Sequence, residues 1–526
     1  MQEVWQSVAT CFEQVAFFFA GGDPKLDASF GRRAERLEGR SFAREELVRT
    51  LTEYHERLGF GEETMKNISA LLREDTLTVV TGQQAGMLSG SLYTLYKAVT
   101  AIHLAGEQQR KLGRTVVPVF WIASEDHDWA EVRETVLLTG DGRPLPLRLA
   151  GEGEGLPVGS LSVPPWSEVA DMLNRGLPES EFKSEMIQDL KRLTEQARNF
   201  SEWFALVLKW LTHDRGLIFF DPALPAFKRL ASPVYERILK SHRELNLALE
   251  QRTHKLVSLA YKAQIELDQG EVNLFMANPE RRALLSSSQG FKLRGKETTL
   301  TLDDLTSMLR EDPGLFSPNV ATRPLVQEYL LPTLAYVAGP GELNYWAQLG
   351  QGFAVFGFEM PVVYPRLSAV VLTQGWQRAL RTEGLTVAQV YQGLAEYKER
   401  CVREQDEYDI DGHFGALRAQ INSAYQRLDS FSAINSHAEE WVAQNQERVL
   451  GQISYLEKKI WQAQRKRCES MLRRIEQLEQ ALAPFGIRQE RVFNPLSFVA
   501  RFGPEFGMRV AELPLTADFR EQCIII

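Results

Sequence analysis

The pattern of apolar and polar positions changes twice in the first quarter of the chain. Residues 1–75 carry apolar side chains at helical spacing among charged neighbours, which predicts helices. A short β-branched run follows at 76–80 and an apolar run lies at 116–122, and both are typical of buried strands. Apolar residues between 92 and 102 recur at helical spacing. This order of strand, loop, helix and strand is a βαβ unit, which predicts a parallel sheet covered by helices.

Further apolar runs of strand length lie at residues 217–220, 354–356 and 361–364. Helical or mixed segments separate these runs, so they fit the same sheet. We therefore predict an α/β protein with a Rossmann-like parallel-sheet core over residues 1–371. The stretches at roughly 135–215 and 225–315 are predicted to be inserted helical connecting subdomains.

The pattern between residues 372 and 485 is different. Glycine and proline become rare, and apolar positions alternate spacings of three and four, which is a coiled-coil pattern with one stutter at Gln464. Two long stretches separated near Asp409–Gly415 predict a long antiparallel coiled-coil hairpin, and such a seam also suits dimerisation. Pro484 ends the last helix. The tail, 486–526, has strand and turn character and is predicted to return to the core.

Composition narrows the class of protein. The net charge is −9 and the pI is near 5.6, so no general basic field exists to hold nucleic acid or an anionic membrane. No stretch approaches the roughly 20 apolar residues of a membrane span, and the N-terminus lacks the basic start of a signal peptide. The four cysteines form no CxxC pair, so neither a zinc knuckle nor a disulfide framework is predicted. We expect a cytoplasmic protein.

The first segment with candidate chemistry is Thr81–Gly90, which ends a predicted strand and opens a helix. In open α/β sheets, ligands bind outside the carboxyl ends of the strands. A glycine-rich turn there lets backbone amides approach an anion, and the helix N-terminus adds positive potential. The alternative is a tight turn that needs glycine only for its geometry. The candidate binding residues are Gly82, Gln83, Gln84 and Gly86.

The second segment places Glu125, Asp126, His127 and Asp128 directly after the strand at 116–122. His127 is a candidate general base near neutral pH, and Asp126 or Asp128 is a candidate partner that orients it or binds an amine. A metal site built from His127 and carboxylates is one alternative, but no second histidine motif accompanies it, and we predict none. A solvated acidic strand end is the other alternative.

The third segment runs from Asn319 to Trp346. Arg323 has the planar fork that binds carboxylates. The Gly-Pro-Gly turn exposes backbone amides, and Glu342 either binds an amine or caps the helix that follows. The candidate binding residues in this segment are Asn319, Arg323, Gly339, Gly341, Glu342 and Asn344. Weaker candidates elsewhere are Tyr93, Lys97 and Arg366.

Several multi-residue motifs occur in one order along essentially the whole chain, and together they resemble the BshC family of bacillithiol biosynthesis. They are TGQQAG at 81–86, YTLYK at 93–97, PVFWIASEDHDW at 118–129, SPNVATRPLVQEYLLPTLAYVAGPGELNYW at 317–346, MPVVYPR at 360–366 and QERVFNP at 489–495. The resemblance implies a Rossmann-like core similar to nucleotidyltransferases and class I aminoacyl-tRNA synthetases. It also implies a homodimer formed through the coiled coil.

The resemblance further implies a ligase that joins cysteine to the amine of glucosaminyl-malate, the last step of bacillithiol biosynthesis. Amide formation in water requires activation of the carboxylate, and ATP with magnesium is the candidate donor, although no motif identifies it. On this hypothesis the loop at Gly82, Gln83 and Gly86 approaches an anionic group. His127 deprotonates the amine, and Asp126, Asp128 or Glu342 binds the cysteine ammonium. Arg323 and Lys97 hold the malate carboxylates.

Two other functions remain open at this point. One is a different adenylate-forming or nucleotidyl-transferring enzyme on the same core. The other is a coiled-coil interaction protein with an inactive α/β domain. The intact segments around Gln83, His127 and Glu342 favour an enzyme, because an inactive scaffold has no physical need for them.

Overall fold

The computed structural model describes residues 3–266, 270–277, 280–435 and 437–526. These residues form two compact units. One contains the chain up to Leu372 together with Gln489–Ile526, and the other contains Thr373–Arg488. In the part of the chain so described, no helix has the length and apolar character needed to cross a membrane.

The strands are β1 (Leu77–Gln83), β2 (Val116–Ile122), β3 (Glu134–Leu138), β4 (Pro144–Arg148), β5 (Ile218–Phe220), β6 (Glu271–Ala277), β7 (Arg281–Ser287), β8 (Gly290–Leu293), β9 (Phe316–Pro318), β10 (Thr333–Ala338), β11 (Val362–Pro365), β12 (Ala369–Leu372) and β13 (Gln522–Ile525). The helices are α1 (Val4–Thr10), α2 (Asp27–Leu37), α3 (Arg44–Arg57), α4 (Glu62–Ala70), α5 (Leu92–Leu112), α6 (Trp129–Val132), α7 (Trp166–Gly176), α8 (Lys183–Gln196), α9 (Phe200–Leu211), α10 (Pro225–Ser258), α11 (Leu302–Glu311), α12 (Arg323–Leu330), α13 (Pro340–Val355), α14 (Gln374–Thr382), α15 (Val387–Gln392), α16 (Ala395–Glu404), α17 (Ile410–Gln426), α18 (Ala438–Arg467), α19 (Glu469–Leu482), α20 (Gln489–Val492), α21 (Leu496–Phe502) and α22 (Pro504–Ala511).

The central sheet of the first unit is parallel throughout, with strand order β11-β10-β1-β2-β5. Starting from β1, the chain adds β2 and then β5 on one side of the sheet. It later adds β10 and then β11 on the other side of β1. This is the doubly wound Rossmann arrangement, and it places a topological switch point between β1 and β10. The predicted fold class is therefore confirmed.

Both faces of this sheet are covered, as a parallel sheet requires. Successive side chains of a strand point to opposite faces, so Val80 packs into one hydrophobic cluster and Val79 into another. The first cluster includes α10 and α13, and the second includes α2 and α5. All seven residues of β2 are buried.

Two assignments in the core were wrong. Residues 354–356 are not a strand, because α13 runs to Val355 from a start at Pro340, where a proline suits the first helical turn. Phe353 is buried together with Trp346, so the apolar run continues the inner face of a helix. The central strand β10 was missed, although it is an apolar run that ends at Gly-Pro-Gly.

The two inserted stretches are less purely helical than predicted. The first contains an antiparallel hairpin, β3 and β4, before α7, α8 and α9. The second contains α10 and then a four-stranded antiparallel sheet with strand order β8-β7-β6-β9. This second sheet carries part of the wall of the site described below.

The C-terminal tail is mostly helical, not strand and turn. It forms α20, α21 and α22, and then β13, which pairs in parallel with β12. Pro504 occupies the first turn of α22, where proline is tolerated.

The second unit is an antiparallel helical hairpin, as predicted, but its reversal lies between α17 and α18 instead of near Asp409–Gly415. Arg418 forms an ion pair with Glu457, and Tyr425 donates a hydrogen bond to Asn445. The polar stretch at 405–409 separates α16 from α17, and Asp409 caps α17 through Gly412 N. Gln464, the predicted stutter, donates to the Gln405 carbonyl at this break (2.6 Å).

Candidate active site at the sheet switch point

A cavity of about 550 Å³ lies at the carboxyl ends of β1, β2 and β10, which is the edge where open α/β sheets bind ligands. All three segments singled out in the sequence reach it. The predicted site residues that line it are Gly82, Gln83, Gln84, Glu125, Asp126, His127, Asn319, Arg323 and Glu342.

The other predicted site residues do not line this cavity. They are Gly86, Tyr93, Lys97, Asp128, Gly339, Gly341, Asn344 and Arg366. Asp128 caps α6 by accepting from Glu131 N (3.0 Å). The Asn344 side chain accepts from Val4 N (3.1 Å). The buried Arg366 forms a two-pronged ion pair with Glu490, with Nη1–Oε2 at 2.9 Å and Nη2–Oε1 at 2.7 Å.

Lys97 lies just behind the cavity and joins its two sides. Its Nζ donates to the Gly82 carbonyl and to Gln83 Oε1, both at 2.8 Å, and forms an ion pair with Glu342. These contacts engage all three Nζ donors, so Lys97 positions Gln83 and Glu342 and has no free donor for a substrate carboxylate. Gln83 Nε2 in turn donates to the Tyr93 hydroxyl (2.9 Å), so the Gln83 side chain is held at both ends.

Glu342 is an ionised carboxylate that is almost fully satisfied. It accepts from Tyr336 Oη and from Gly339 N, both at 2.7 Å, in addition to Lys97. Burial raises the pKa of Glu342, but the charge of Lys97 and these hydrogen bonds outweigh it, so the pKa lies below its ordinary value. The hydrogen bond from Gly339 N also caps α13, so the structure shows the helix-capping role that was one of the two alternatives for Glu342.

His127 has a different partner from the expected one. In the described part of the chain, its ring makes no hydrogen bond to Asp126 or Asp128. Its Nδ1 lies instead 3.0 Å from Nη1 of Arg281. Burial, reinforced by the positive charge of Arg281, holds the pKa of His127 below its ordinary value. The lowered pKa favours the neutral form of the ring.

Asp126 is held next to this pair and stays partly open to the cavity. It forms an ion pair with Arg281 Nη1 (2.9 Å) and accepts a hydrogen bond from Gln84. Its side chain is 39% exposed, so it has room to accept a further donor. Glu125 is instead buried in an ion pair with Lys228 of α10. This pair fixes the loop that follows β2 against α10.

Arg323 lies over aromatic rings at the opposite wall. Its guanidinium carbon is 5.0 Å from the centre of the Tyr336 ring and 5.7 Å from that of Trp121. Its Nη1 donates to Gln327 (2.9 Å), whereas Nη2 makes no hydrogen bond of ordinary length among the described residues, although the Tyr345 hydroxyl interacts with the guanidinium. A buried guanidinium nitrogen without an ordinary hydrogen bond favours an anionic ligand.

Sequence reasoning missed several residues of the site. They are Trp121, Phe275, Arg281, Tyr336 and Tyr345 on the cavity wall, and Lys228 beneath the loop. Tyr336 lies within the apolar run that precedes Gly339-Pro340-Gly341, and recognising that run as β10 would have placed Tyr336 beside the switch point. No local pattern marks Arg281, which is one of 60 lysines and arginines.

The strand order and the cavity at the switch point define a Rossmann-like core with a candidate ligand site, joined to a coiled-coil unit. A family model described as the bacillithiol biosynthesis BshC N-terminal Rossmann-like domain matches residues 2–367, and the corresponding C-terminal coiled-coil domain matches residues 369–526. The chain belongs to the BshC family, which confirms the resemblance seen in its motifs.

Curated relatives align with almost the whole chain. One from Geobacillus kaustophilus is 35% identical and covers 93% of this chain and 91% of its own length. One from Bacillus cytotoxicus is 32% identical and covers 96% and 93%. One from Desulforamulus reducens is 31% identical and covers 98% and 96%. All three carry the name "Putative cysteine ligase BshC".

Proposed function

We propose that this protein is a carbon–nitrogen ligase that joins the carboxyl group of L-cysteine to the amine of glucosaminyl-malate, the last step of bacillithiol biosynthesis. The observation that carries the proposal is the convergence of the segments around Gln83, His127 and Arg323 on one cavity at the switch point. The names of the relatives point to cysteine ligation.

The charges around the cavity match the groups of the two substrates. Glucosaminyl-malate carries carboxylates, and Arg323 offers a guanidinium nitrogen that makes no hydrogen bond of ordinary length among the described residues. Cysteine carries an ammonium group, and Asp126 is the partly exposed carboxylate next to Gln84. We assign the malate carboxylates to Arg323 and the cysteine ammonium to Asp126.

The chemical step requires an activated carboxylate, because condensation of a free acid and an amine is uphill in water. We infer a nucleoside triphosphate as the activating co-substrate. A carboxylate oxygen of cysteine attacks either its γ-phosphorus, which releases the nucleoside diphosphate and leaves an acyl phosphate, or its α-phosphorus, which releases pyrophosphate and leaves an acyl adenylate. The amine nitrogen then attacks the acyl carbon and forms the C–N bond. The bond between the acyl carbon and the oxygen carried by phosphorus breaks, and phosphate or the nucleoside monophosphate leaves with the electron pair. The amine proton passes to solvent or to the leaving phosphate.

The proposal extends to the compartment and the assembly of the protein. We place it in the cytoplasm and in a homodimer formed through the coiled-coil unit. That unit exposes Trp441, Leu456 and Ile460, and exposed apolar side chains on a helical hairpin suit a protein–protein contact.

A mass-spectrometric assay tests the ligation. Purified protein is incubated with glucosaminyl-malate and cysteine, with and without magnesium-ATP. We expect bacillithiol only when the nucleotide is present. An Arg323→Met protein tests the site, and Arg310→Met on the exposed face of α11 is its matched control. Product formed equally well by Arg323→Met would remove the cavity from the proposal, and no product with any nucleoside triphosphate would overturn the reaction itself.

A further inference from the structure

Arg281 is held so firmly that its direction is set before any substrate binds. It is 7% exposed. Its Nε donates to Ser317 Oγ (3.0 Å), its Nη2 to the Pro318 carbonyl (2.7 Å), and its Nη1 to Asp126 (2.9 Å). The guanidinium carbon also lies 3.8 Å from the centre of the Phe275 ring. A planar guanidinium with these contacts cannot rotate, so the second hydrogen of Nη1 points to His127.

This arrangement determines which nitrogen of His127 carries the proton. Arginine has five N–H donors and no acceptor, so the 3.0 Å contact between Arg281 Nη1 and His127 Nδ1 requires Nδ1 to accept. A neutral imidazole whose Nδ1 accepts carries its hydrogen on Nε2. The other ring nitrogen of His127, Nε2, is therefore a donor and cannot take a proton from an amine.

We propose that His127 acts as a neutral hydrogen-bond donor through Nε2–H, not as a general base, and that Arg281 is the positioning residue that fixes this tautomer. The inference rests on the proposed function only for the identity of the oxygen that accepts this hydrogen bond. We assign that oxygen to the acyl group of the activated cysteine, which gains negative charge when the amine attacks. Arg281 itself does not touch the reacting atoms.

The charges around the ring support a neutral imidazole. Arg281 of β7 faces Nδ1, and Asp126, Asp128 and Glu154 are the carboxylates near it. The Phe275 ring of β6 packs 5.8 Å away, centre to centre. The carboxylates favour the imidazolium, but burial and Arg281 outweigh them, so the pKa is lowered. Protonation at Nδ1 would also set two N–H donors and two positive charges against each other at 3.0 Å.

The tautomer can be measured directly. Protein labelled with ¹⁵N in histidine is studied by two-bond ¹H–¹⁵N spectroscopy, and a His127→Gln sample identifies the His127 signals. We expect the Nε2–H tautomer at neutral pH in the wild-type protein. The Nδ1–H tautomer, or an imidazolium, would overturn the proposal without any further variant.

Variants of Arg281 test the positioning role. In Arg281→Met we expect a mixture of His127 tautomers and a pKa shifted upward, because the donor to Nδ1 and its charge are gone. Arg281→Lys keeps the charge without the fork and serves if the methionine protein does not fold. The neighbouring Arg282→Met is the matched control, since successive strand residues point to opposite faces and Arg282 pairs with Glu280. An unchanged His127 spectrum in both Arg281 variants would refute the positioning role.

Kinetics of the ligation test the donor role independently. Glutamine can donate through Nε2 and accept from Arg281, but it cannot act as a base. We expect His127→Ala to lower kcat about 100-fold, as for loss of one oxyanion donor, and His127→Gln to retain at least about tenfold more activity than His127→Ala. Equal losses would contradict the donor role. If the wild-type protein makes no bacillithiol, the proposed reaction fails, whereas the tautomer measurement still decides the role of Arg281.

Discussion

Lys97 and Glu342 form a buried ion pair that joins the two sides of the crevice between β1 and β10. Lys97 lies on the helix that follows β1, and Glu342 lies in the first turn of the helix that follows β10. Because β1 and β10 flank the switch point, this pair connects the two halves of the doubly wound sheet beside the cavity. It also holds Gln83, which lines that cavity.

Removing one partner of this pair is expected to destabilise the fold strongly. Lys97→Met leaves the largely buried Glu342 carboxylate without its cation, while Tyr336 and Gly339 still donate to it, so we expect a loss of about 2–3 kcal/mol in the free energy of unfolding. The double variant Lys97→Met/Glu342→Gln is expected to recover part of that loss, because no uncompensated charge remains. Urea unfolding measures both. Lys111→Met on the exposed face of the same helix is the control, and a Lys97→Met loss no larger than that control would contradict the prediction.

Arg323 is expected to determine the affinity for the carboxylate-bearing substrate. Its Nη2 makes no hydrogen bond of ordinary length among the described residues, and a charge-assisted hydrogen bond contributes about 1.5–3 kcal/mol. Arg323→Met should therefore raise the KM for glucosaminyl-malate about 10- to 100-fold and leave the KM for cysteine nearly unchanged. The KM of Arg323→Lys for glucosaminyl-malate should lie between those of the wild-type and Arg323→Met proteins, because a lysine keeps the charge but lacks the planar fork. If the KM for cysteine rises instead, the carboxylates bind elsewhere.

The C-terminal segment is expected to hold the glycine loop through one side chain. Buried Asn494 donates from Nδ2 to the Leu88 and Gly90 carbonyls, both at 2.9 Å. Leu88, Ser89 and Gly90 have φ values of 52°, 72° and 71°, a left-handed run that costs energy at the two residues other than glycine.

Asn494→Leu leaves both carbonyls without this donor. We expect a loss of about 2–3 kcal/mol in unfolding free energy and faster amide exchange in the loop that follows β1. Asn174→Leu, at an exposed position of α7, is the matched control. Slow exchange of the loop in Asn494→Leu would show that other contacts hold it.

The parts of the fold that periodicity describes were predictable from the sequence. The strands β1 and β2 are apolar runs bounded by polar turns, and the carboxyl-end rule then placed the Gln83 and His127 segments together. The run at 354–356 shows the limit, because three apolar residues fit a helix as well as a strand. The choice between helix and strand depends on tertiary packing, in which Phe353 is buried together with Trp346.

The partners inside the site could not be predicted in the same way. Arg281 lies 154 residues from His127 along the chain, in an antiparallel sheet that the pattern did not reveal. Its effect depends on the fork geometry of one guanidinium, which no local spacing encodes. The general-base role expected for His127 was based on its residue type and on acidic neighbours in the sequence, whereas the fold buries its ring and places this distant arginine 3.0 Å from Nδ1.

His55 is expected to make stability depend on pH. It is fully buried, its Nδ1 donates to the Leu51 carbonyl (2.7 Å), and its Nε2 accepts from Phe219 N (3.0 Å), so it ties α3 to β5 in the neutral form. Burial lowers the pKa of His55 from 6.5 to about 4. The unfolded chain therefore binds the proton more readily than the folded protein. The stability that neutral His55 contributes is complete above the unfolded pKa. It is lost by about 1.4 kcal/mol per pH unit as the pH falls from the unfolded pKa toward the folded pKa.

The stability gap between wild-type and His55→Gln protein should shrink by about 2 kcal/mol between pH 7.5 and pH 5. The exposed His254→Gln protein is measured in parallel as the control. A gap for His55→Gln that changes no more than that of the control would mean that His55 does not titrate with unfolding.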